Sequence, residues 1–231
     1  YNYNQIKNYD LLVFGFPVFG FDVSPSMREF VEKIPAVDKP KQCFIYCTLG
    51  VVEGNALYNL SQSLLKKNII TVGFEKIYAP GTDASLLFPG KWTRTFKKKT
   101  PKKINSIVQT ITSALEGGIK GRMPHYKHLW AAIEKLLIGS VIKQEKNWLN
   151  QMRILDDKCT NCGRCVKACK RGGITKGENK PEFNSENCEF CLGCVHHCPF
   201  NAITFVDKEI DKPRLNNQFF KDEKEKLLKK I

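Results

Sequence analysis

The sequence predicts two domains of different classes: an α/β domain with a doubly wound parallel sheet and a small α+β domain built around metal. Three observations predict this division. Short apolar segments alternate with amphipathic ones in the first half of the chain. Eight of the ten cysteines fall between Cys159 and Cys198. The formal net charge of +14 is concentrated outside that region, since residues 91–127 hold ten Lys or Arg and one acidic residue.

The composition excludes several classes of protein. An apolar fraction of 42% and a charged fraction of 26% are ordinary for a globular chain and exclude wholesale disorder. The longest uncharged apolar run, Leu11 to Phe21, is too short to cross a bilayer, so we expect no membrane span. Cysteines clustered in one window indicate metal rather than a disulfide scaffold.

The first half of the chain predicts strands and helices in alternation. The strands are residues 10–15, 41–48 and 69–78, and the helices begin near Ser24, Asn55 and Thr100. This order is typical of an open parallel sheet with right-handed crossovers. Three parallel strands leave one sheet edge bare, so we expect further strands before Tyr1. A partner that covers the edge is the alternative.

The same patterns predict four segments along the chain. They are a partial α/β domain (1–118), a helical linker (119–152), a cysteine-rich domain (153–208) and an amphipathic C-terminal helix (209–231).

Two cysteine runs repeat with an offset of 29 residues. They read Cys159-x2-Cys162-x2-Cys165-x3-Cys169 and Cys188-x2-Cys191-x2-Cys194-x3-Cys198. This spacing predicts two [4Fe-4S] clusters, in which the fourth cysteine of each run binds the cluster of the other. The predicted ligand sets are therefore Cys159, Cys162, Cys165 and Cys198 for one cluster, and Cys188, Cys191, Cys194 and Cys169 for the other. Structural zinc is the alternative, but it prefers two separated cysteine pairs.

Residues 153–208 resemble the bacterial two-[4Fe-4S] ferredoxin domain. The resemblance implies a pseudo-twofold arrangement of small hairpins and short helices around the two clusters. We expect Gly163 and Gly193 to keep the two cysteine loops compact. Lys170 stands where the family usually has proline, and this departure removes no ligand.

Two glycine-containing loops follow the first and second predicted strands. In parallel sheets, ligands bind beyond the carboxyl ends of the strands, so these loops predict walls for a flat aromatic cofactor. Plain turns are the alternative. The candidate cofactor-binding residues are Pro17, Val18, Phe19, Gly20, Thr48, Leu49, Gly50, Gly54 and Asn55.

The two loops, followed by the cysteine repeat, resemble the flavodoxin–ferredoxin fusions of anaerobic microbes called the ferrodoxin family. The resemblance implies a flavodoxin-like fold for the first domain and FMN held between the loops. Phe19 stands where the family often has tyrosine. Residues 1–9 contain no phosphate-binding loop, so we expect FMN only in a longer protein that also supplies the N-terminal strands.

The predicted function is electron transfer through two [4Fe-4S] clusters, coupled to FMN in the full-length protein. No residue pattern indicates acid–base or nucleophilic catalysis, so no catalytic residue is assigned. The alternatives are a ferredoxin on a docking scaffold without flavin, and a basic nucleic-acid-binding iron–sulfur protein. We expect a cytoplasmic, oxygen-poor setting and redox partner proteins. A basic surface would favour acidic partners if they dock there. Its residues are Arg94, Lys97, Lys98, Lys99, Lys102 and Lys103.

Overall fold

The structure of the chain is a computed structural model. It describes residues 2–87, 100–116, 123–206, 210 and 214–229, apart from the side chains of residues 114, 133–142 and 227. These residues divide into two compact units. The first contains residues 2–79, 100–116 and 123–138, and the second contains residues 80–87, 139–206, 210 and 214–229. Most of the predicted basic surface, Arg94 and Lys97 to Lys99, lies outside the described residues.

The first unit is built on one mixed sheet. Its strands are β1 (Leu11–Phe19), β2 (Asp22–Val23), β3 (Lys41–Leu49) and β4 (Ile69–Tyr78). The spatial order is β2–β1–β3–β4, and the three long strands run parallel. The parallel sheet predicted from the alternating pattern is confirmed.

The first strand is longer than the sequence predicts. It continues past Gly15 to Phe19, so Pro17, Val18 and Phe19 lie on a strand rather than in a loop. The extension pairs with β3 through Pro17 and Thr48, and with the short antiparallel β2. Gly20 and Phe21 connect β1 to β2 with φ angles of 52° and 65°. Two central residues with positive φ are typical of a type I′ hairpin turn, which tightens the connection.

Helices follow the strands, and three of them begin near Ser24, Asn55 and Thr100, as the sequence predicts. The helices are α1 (Pro25–Lys33), α2 (Ala56–Leu65), a short α3 (Ala84–Leu87), α4 (Thr100–Leu115) and α5 (His128–Asn150). A 3₁₀ helix, Tyr3–Asn8, precedes the sheet. No helix in the described part of the chain has the length and hydropathy needed to cross a membrane.

The central strand β3 is buried on both faces, as is typical of a parallel sheet covered by helices. Cys43 and Cys47 are fully buried on one face. Burial raises the pKa of Cys43 to about 11 and that of Cys47 to about 12, so both thiols are neutral core groups. Phe44 packs on the other face, where Gly73 leaves the room that a side chain would otherwise fill.

The second unit contains short elements around two cysteine loops. The strands are β5 (Arg153–Ile154), β6 (Ile174–Thr175), β7 (Glu182–Phe183) and β8 (Ile203–Thr204). The helices are α6 (Arg164–Ala168), α7 (Gly193–His197) and α8 (Asn217–Leu228). β5 pairs with β8 and β6 pairs with β7, both antiparallel. Each pair has only two residues per strand, so the pairings alone contribute little stability. The second unit therefore depends on its hydrophobic core. The most buried core residues are Ile174, Leu192, Val195, Ile203 and Phe205.

A buried carboxylate fastens the segment before α5 to the sheet. Glu53, which follows β3, is 6% exposed and accepts a hydrogen bond from Lys76 Nζ at 3.0 Å and another from Lys127 Nζ. The backbone N–H of Lys127 donates to Asn55 Oδ1 at 2.9 Å. Burial alone would raise the pKa of Glu53, but the bonds from Lys127 and Lys76 outweigh it and hold this pKa below its usual value.

We expect Glu53→Gln to lower the opening free energy of strand β3 by about 1–2 kcal/mol, because the amide keeps an acceptor oxygen but loses the negative charge that attracts two partly exposed lysines. Hydrogen exchange of β3 amides measures this, with the exposed Glu32→Gln as control. The pKa of Glu53 is lower in the folded state than in the unfolded state. Ionised Glu53 therefore contributes its full free energy of stabilisation above the unfolded-state pKa. That contribution is lost as the pH falls through the folded-state pKa. An effect that persisted unchanged into strong acid would contradict this role for Glu53.

Candidate metal centre

Eight cysteines line two separate cavities in the second unit. The first cavity is lined by Cys159, Cys162, Cys165 and Cys198, and the second by Cys169, Cys188, Cys191 and Cys194. Each cavity thus gathers three thiols from one cysteine run and the fourth thiol from the other run. The structure brings together the same two sets of four that the spacing predicts as ligand sets.

The backbone repeats with the same offset of 29 residues as the sequence. Residues with positive φ occur in matching pairs: Asn161 and Phe190, Gly163 and Leu192, and Gly172 and Asn201. In the left-handed region the chain turns tightly, which points neighbouring thiols into one cavity. The loop conformation is therefore a property of the duplicated unit, retained even where the residue is not glycine.

The left-handed residue of the second cysteine loop is not a glycine. The residue that adopts the left-handed conformation there is Leu192, with φ 58°, and not Gly193, which begins α7. The Leu192 side chain is buried in the core, and its packing offsets the backbone strain. A side chain at Gly193 would instead contact Cys191 Sγ at 3.7 Å, so this glycine lies against the second cavity.

Backbone N–H groups donate to cysteine sulfurs in both halves. Gly173 N lies 3.2 Å from Cys169 Sγ, and its repeat counterpart Ala202 N lies 3.3 Å from Cys198 Sγ. In addition, the N–H of Phe190 donates to Cys188 Sγ at 3.4 Å. Such bonds favour the thiolate and withdraw electron density from it, which is one way a protein tunes the potential of an iron–sulfur centre.

The electrostatics of the cavities fit a positively charged inorganic group. Burial raises the pKa of Cys194, and its neighbours Cys191, Cys188 and Cys169 raise it further. Burial also raises the pKa of Cys165, as do Cys198 and Cys159. A cationic centre would offset both effects and favour the thiolate form of these cysteines. Within the described residues, no three His, Cys, Asp or Glu side chains form a site for a single metal ion.

His196 is a structural residue that the sequence pattern does not reveal. Its ring is 2% exposed, with Nε2 2.9 Å from the carbonyl oxygen of Thr82 and Nδ1 accepting from the N–H of Leu215 at 3.0 Å. Burial lowers the pKa of His196 to about 4, so the ring is neutral near pH 7. It therefore joins two distant segments to α7.

The candidate flavin loops meet at one edge of the sheet in the first unit. Pro17 pairs with Thr48 at the carboxyl ends of β1 and β3, so the two loops lie side by side. Leu49 ends β3, and Gly50 follows it on the surface. Gly54 has a φ of 59° and Asn55 precedes α2.

Two buried N–H donors at this edge have no partner among the described residues: Asn55 Nδ2 and Trp130 Nε1. Trp130 packs edge-on against Phe21, with ring centroids 5.3 Å apart, and its Nε1 faces Gly54. Acceptor atoms at the polar rim of a planar ligand would satisfy both donors. Sequence reasoning missed Trp130 because it lies some 75 residues beyond the loops, on the predicted linker helix.

Comparisons with known proteins converge on the cysteine region. The family profile described as "4Fe-4S dicluster domain" matches residues 151–199. Pyruvate synthase subunit PorD from Methanocaldococcus jannaschii is 38% identical over 74 residues, which are 31% of this chain and 86% of that protein. An uncharacterized ferredoxin from the same organism is 35% identical over 66 residues, covering 27% of this chain and 82% of that protein. A ferredoxin from Methanothermococcus thermolithotrophicus is 37% identical over 51 residues, which are 21% of this chain and 85% of that protein.

Proposed function

We propose that this chain, which belongs to the ferredoxin-type 4Fe-4S dicluster family, carries electrons one at a time through two [4Fe-4S] clusters. The family supports an iron–sulfur electron-transfer function of the ferredoxin kind. The observation that carries the proposal is the pair of cavities, each lined by four thiols.

The proposed ligands cross between the two cysteine runs. Cys159, Cys162, Cys165 and Cys198 hold the first cluster, and Cys188, Cys191, Cys194 and Cys169 hold the second. When bound, the clusters supply the one-electron redox chemistry. The chain supplies the thiolates and the N–H···S bonds that tune them. No residue is assigned a catalytic role.

Paired cysteine substitutions test the crossed arrangement. Cys162→Ser with Cys198→Ser removes two ligands of one proposed cluster, so we expect about half of the iron to remain. Cys191→Ser with Cys198→Ser removes one ligand from each proposed cluster, so we expect both clusters to be weakened. Iron and acid-labile sulfide per chain, measured after anaerobic reconstitution, report the difference. Cys43→Ala, in the other unit, is the control and keeps the full iron content.

An uncrossed arrangement predicts the reverse, because Cys191 and Cys198 belong to the same cysteine run. Retention of half the iron by Cys191→Ser with Cys198→Ser, together with loss of both clusters by the other pair, would refute the crossed ligand sets. Binding of zinc in place of iron by the unaltered chain would refute the cluster proposal as a whole.

For the first unit, we propose that the carboxyl edge of the sheet holds the ring of FMN, in a flavodoxin-like arrangement coupled to the clusters. Two observations support this proposal. Pro17 and Thr48 bring the two candidate loops side by side, and Asn55 Nδ2 and Trp130 Nε1 are buried donors that would suit the acceptor-rich rim of the flavin ring. A docking scaffold without flavin is the competing function for this unit.

Lumiflavin, a flavin ring without phosphate, tests the ring site on the chain as it stands. We expect the chain to quench lumiflavin fluorescence on binding. Trp130→Phe keeps an aromatic ring against Phe21 but removes the Nε1 donor, so we expect affinity to fall about 3- to 10-fold, the equivalent of one hydrogen bond. Trp148→Phe, in the second unit, is the matched control. No quenching by the unaltered chain would favour the scaffold and count against the flavin site.

A further inference from the structure

We infer that the chain exchanges electrons with an acidic redox protein at one surface, the mouth of the first cavity. This inference rests on the proposed electron-transfer function and adds the place and charge of the partner. The surface, here called the Phe200 face, is made by five exposed residues that line the first cavity and by the exposed Lys167 one turn further along α6. The five are Thr160, Cys162, Arg164, Pro199 and Phe200.

The first argument for the Phe200 face is access. Among the eight cavity cysteines, all within the described residues, Cys162 alone is exposed. Phe200, which lines the same cavity, is 47% exposed, so a large apolar side chain lies at the surface beside a candidate redox centre. Electron transfer rates fall steeply with distance, so a partner gains most where a ligand sulfur reaches the surface. An exposed aromatic side chain is also a common anchor in protein interfaces.

The second cysteine loop carries an aromatic residue where the first carries a polar one. Phe190, in the second cysteine loop, stacks on Trp148 with ring centroids 6.1 Å apart and an interplanar angle of 20°. Phe205 meets both rings edge-on, at 5.2 Å from Phe190 and 5.9 Å from Trp148. This aromatic group covers part of the second loop, whereas the corresponding residue of the first loop is the polar Asn161.

The third argument is charge. Among the described residues, Arg164 is the one charged residue that lines the first cavity, and Lys167 lies one helical turn further along α6. Both side chains are exposed. The second cavity has a mixed lining, with Lys170 and Arg171 beside Glu189. A positive surface around an exposed ligand attracts a partner whose redox centre is surrounded by carboxylates, and it speeds a short-lived encounter.

Small charged acceptors test the Phe200 face without a known partner. The reconstituted chain, reduced with dithionite and desalted, is oxidised in a stopped-flow instrument by tris(oxalato)cobaltate(III), a trianion, or by hexaamminecobalt(III), a trication. In either reaction one electron leaves the protein and cobalt(III) becomes cobalt(II), with no bond formed to the protein. Iron and sulfide are measured on every preparation.

We expect Arg164→Glu with Lys167→Glu to slow oxidation by the trianion about tenfold at low ionic strength and to speed oxidation by the trication. The differences should vanish near 1 M salt, where the screening length is about 3 Å. Lys221→Glu with Lys224→Glu is the matched control, since it reverses two exposed lysines at the same spacing on α8. We expect the control to change either rate less than about twofold.

A second readout does not depend on electron transfer. Tris(oxalato)chromate(III) is a paramagnetic trianion that does not oxidise the protein, and it should broaden the NMR signals of the Phe200 ring in the unaltered chain. The broadening should be lost in the Arg164 and Lys167 double variant and kept in the control.

The outcomes separate the two proposals. The Phe200 face would be refuted if the two double variants changed the rates equally. It would also be refuted if the Phe200 signals were not broadened in a preparation with full iron. Neither result would argue against the two clusters. A chain that takes up no iron would overturn the proposed function, and the Phe200 face with it.

Discussion

Burial of clustered cysteine thiols is the constraint on which the second unit depends. Each cavity collects four cysteine sulfurs, and burial together with neighbouring thiolates raises the pKa of Cys165 and Cys194. A cationic centre favours the thiolate form of these cysteines, so binding of iron and ordering of the loops are expected to be one coupled process. The very short strands β5 to β8 fit this view, because two-residue pairings contribute little stability of their own.

Duplication explains how so short a segment builds two such sites. Left-handed residues, N–H···S bonds and short helices recur 29 positions apart, so one local design serves both cavities. Differences between the halves then give each site its own surroundings. Phe190 joins an aromatic group with Trp148, whereas Asn161 occupies the corresponding place in the first loop, beside the exposed Cys162. The two proposed clusters therefore differ in access to solvent and to partners.

Sequence reasoning succeeds where local pattern determines structure. Apolar periodicity and capping residues locate the three long strands and the main helices, and cysteine spacing predicts which thiols share a cavity. It fails where distant contacts decide. The two-residue β2 is too short to show a periodicity. Leu192 adopts a backbone conformation that usually favours glycine, and the packing of its buried side chain offsets the strain. The hydrogen bonds of His196 to Thr82 and Leu215 join residues that no spacing rule connects.

The most direct measurement of the central claim is the iron, zinc and acid-labile sulfide content of the chain after anaerobic reconstitution, combined with electron paramagnetic resonance of the reduced protein. Two [4Fe-4S] clusters predict about eight irons and eight sulfides per chain and, with both clusters reduced, a signal from two interacting paramagnetic centres. Zinc with little sulfide, or four irons with the signal of one isolated centre, would contradict the claim that both cavities hold clusters.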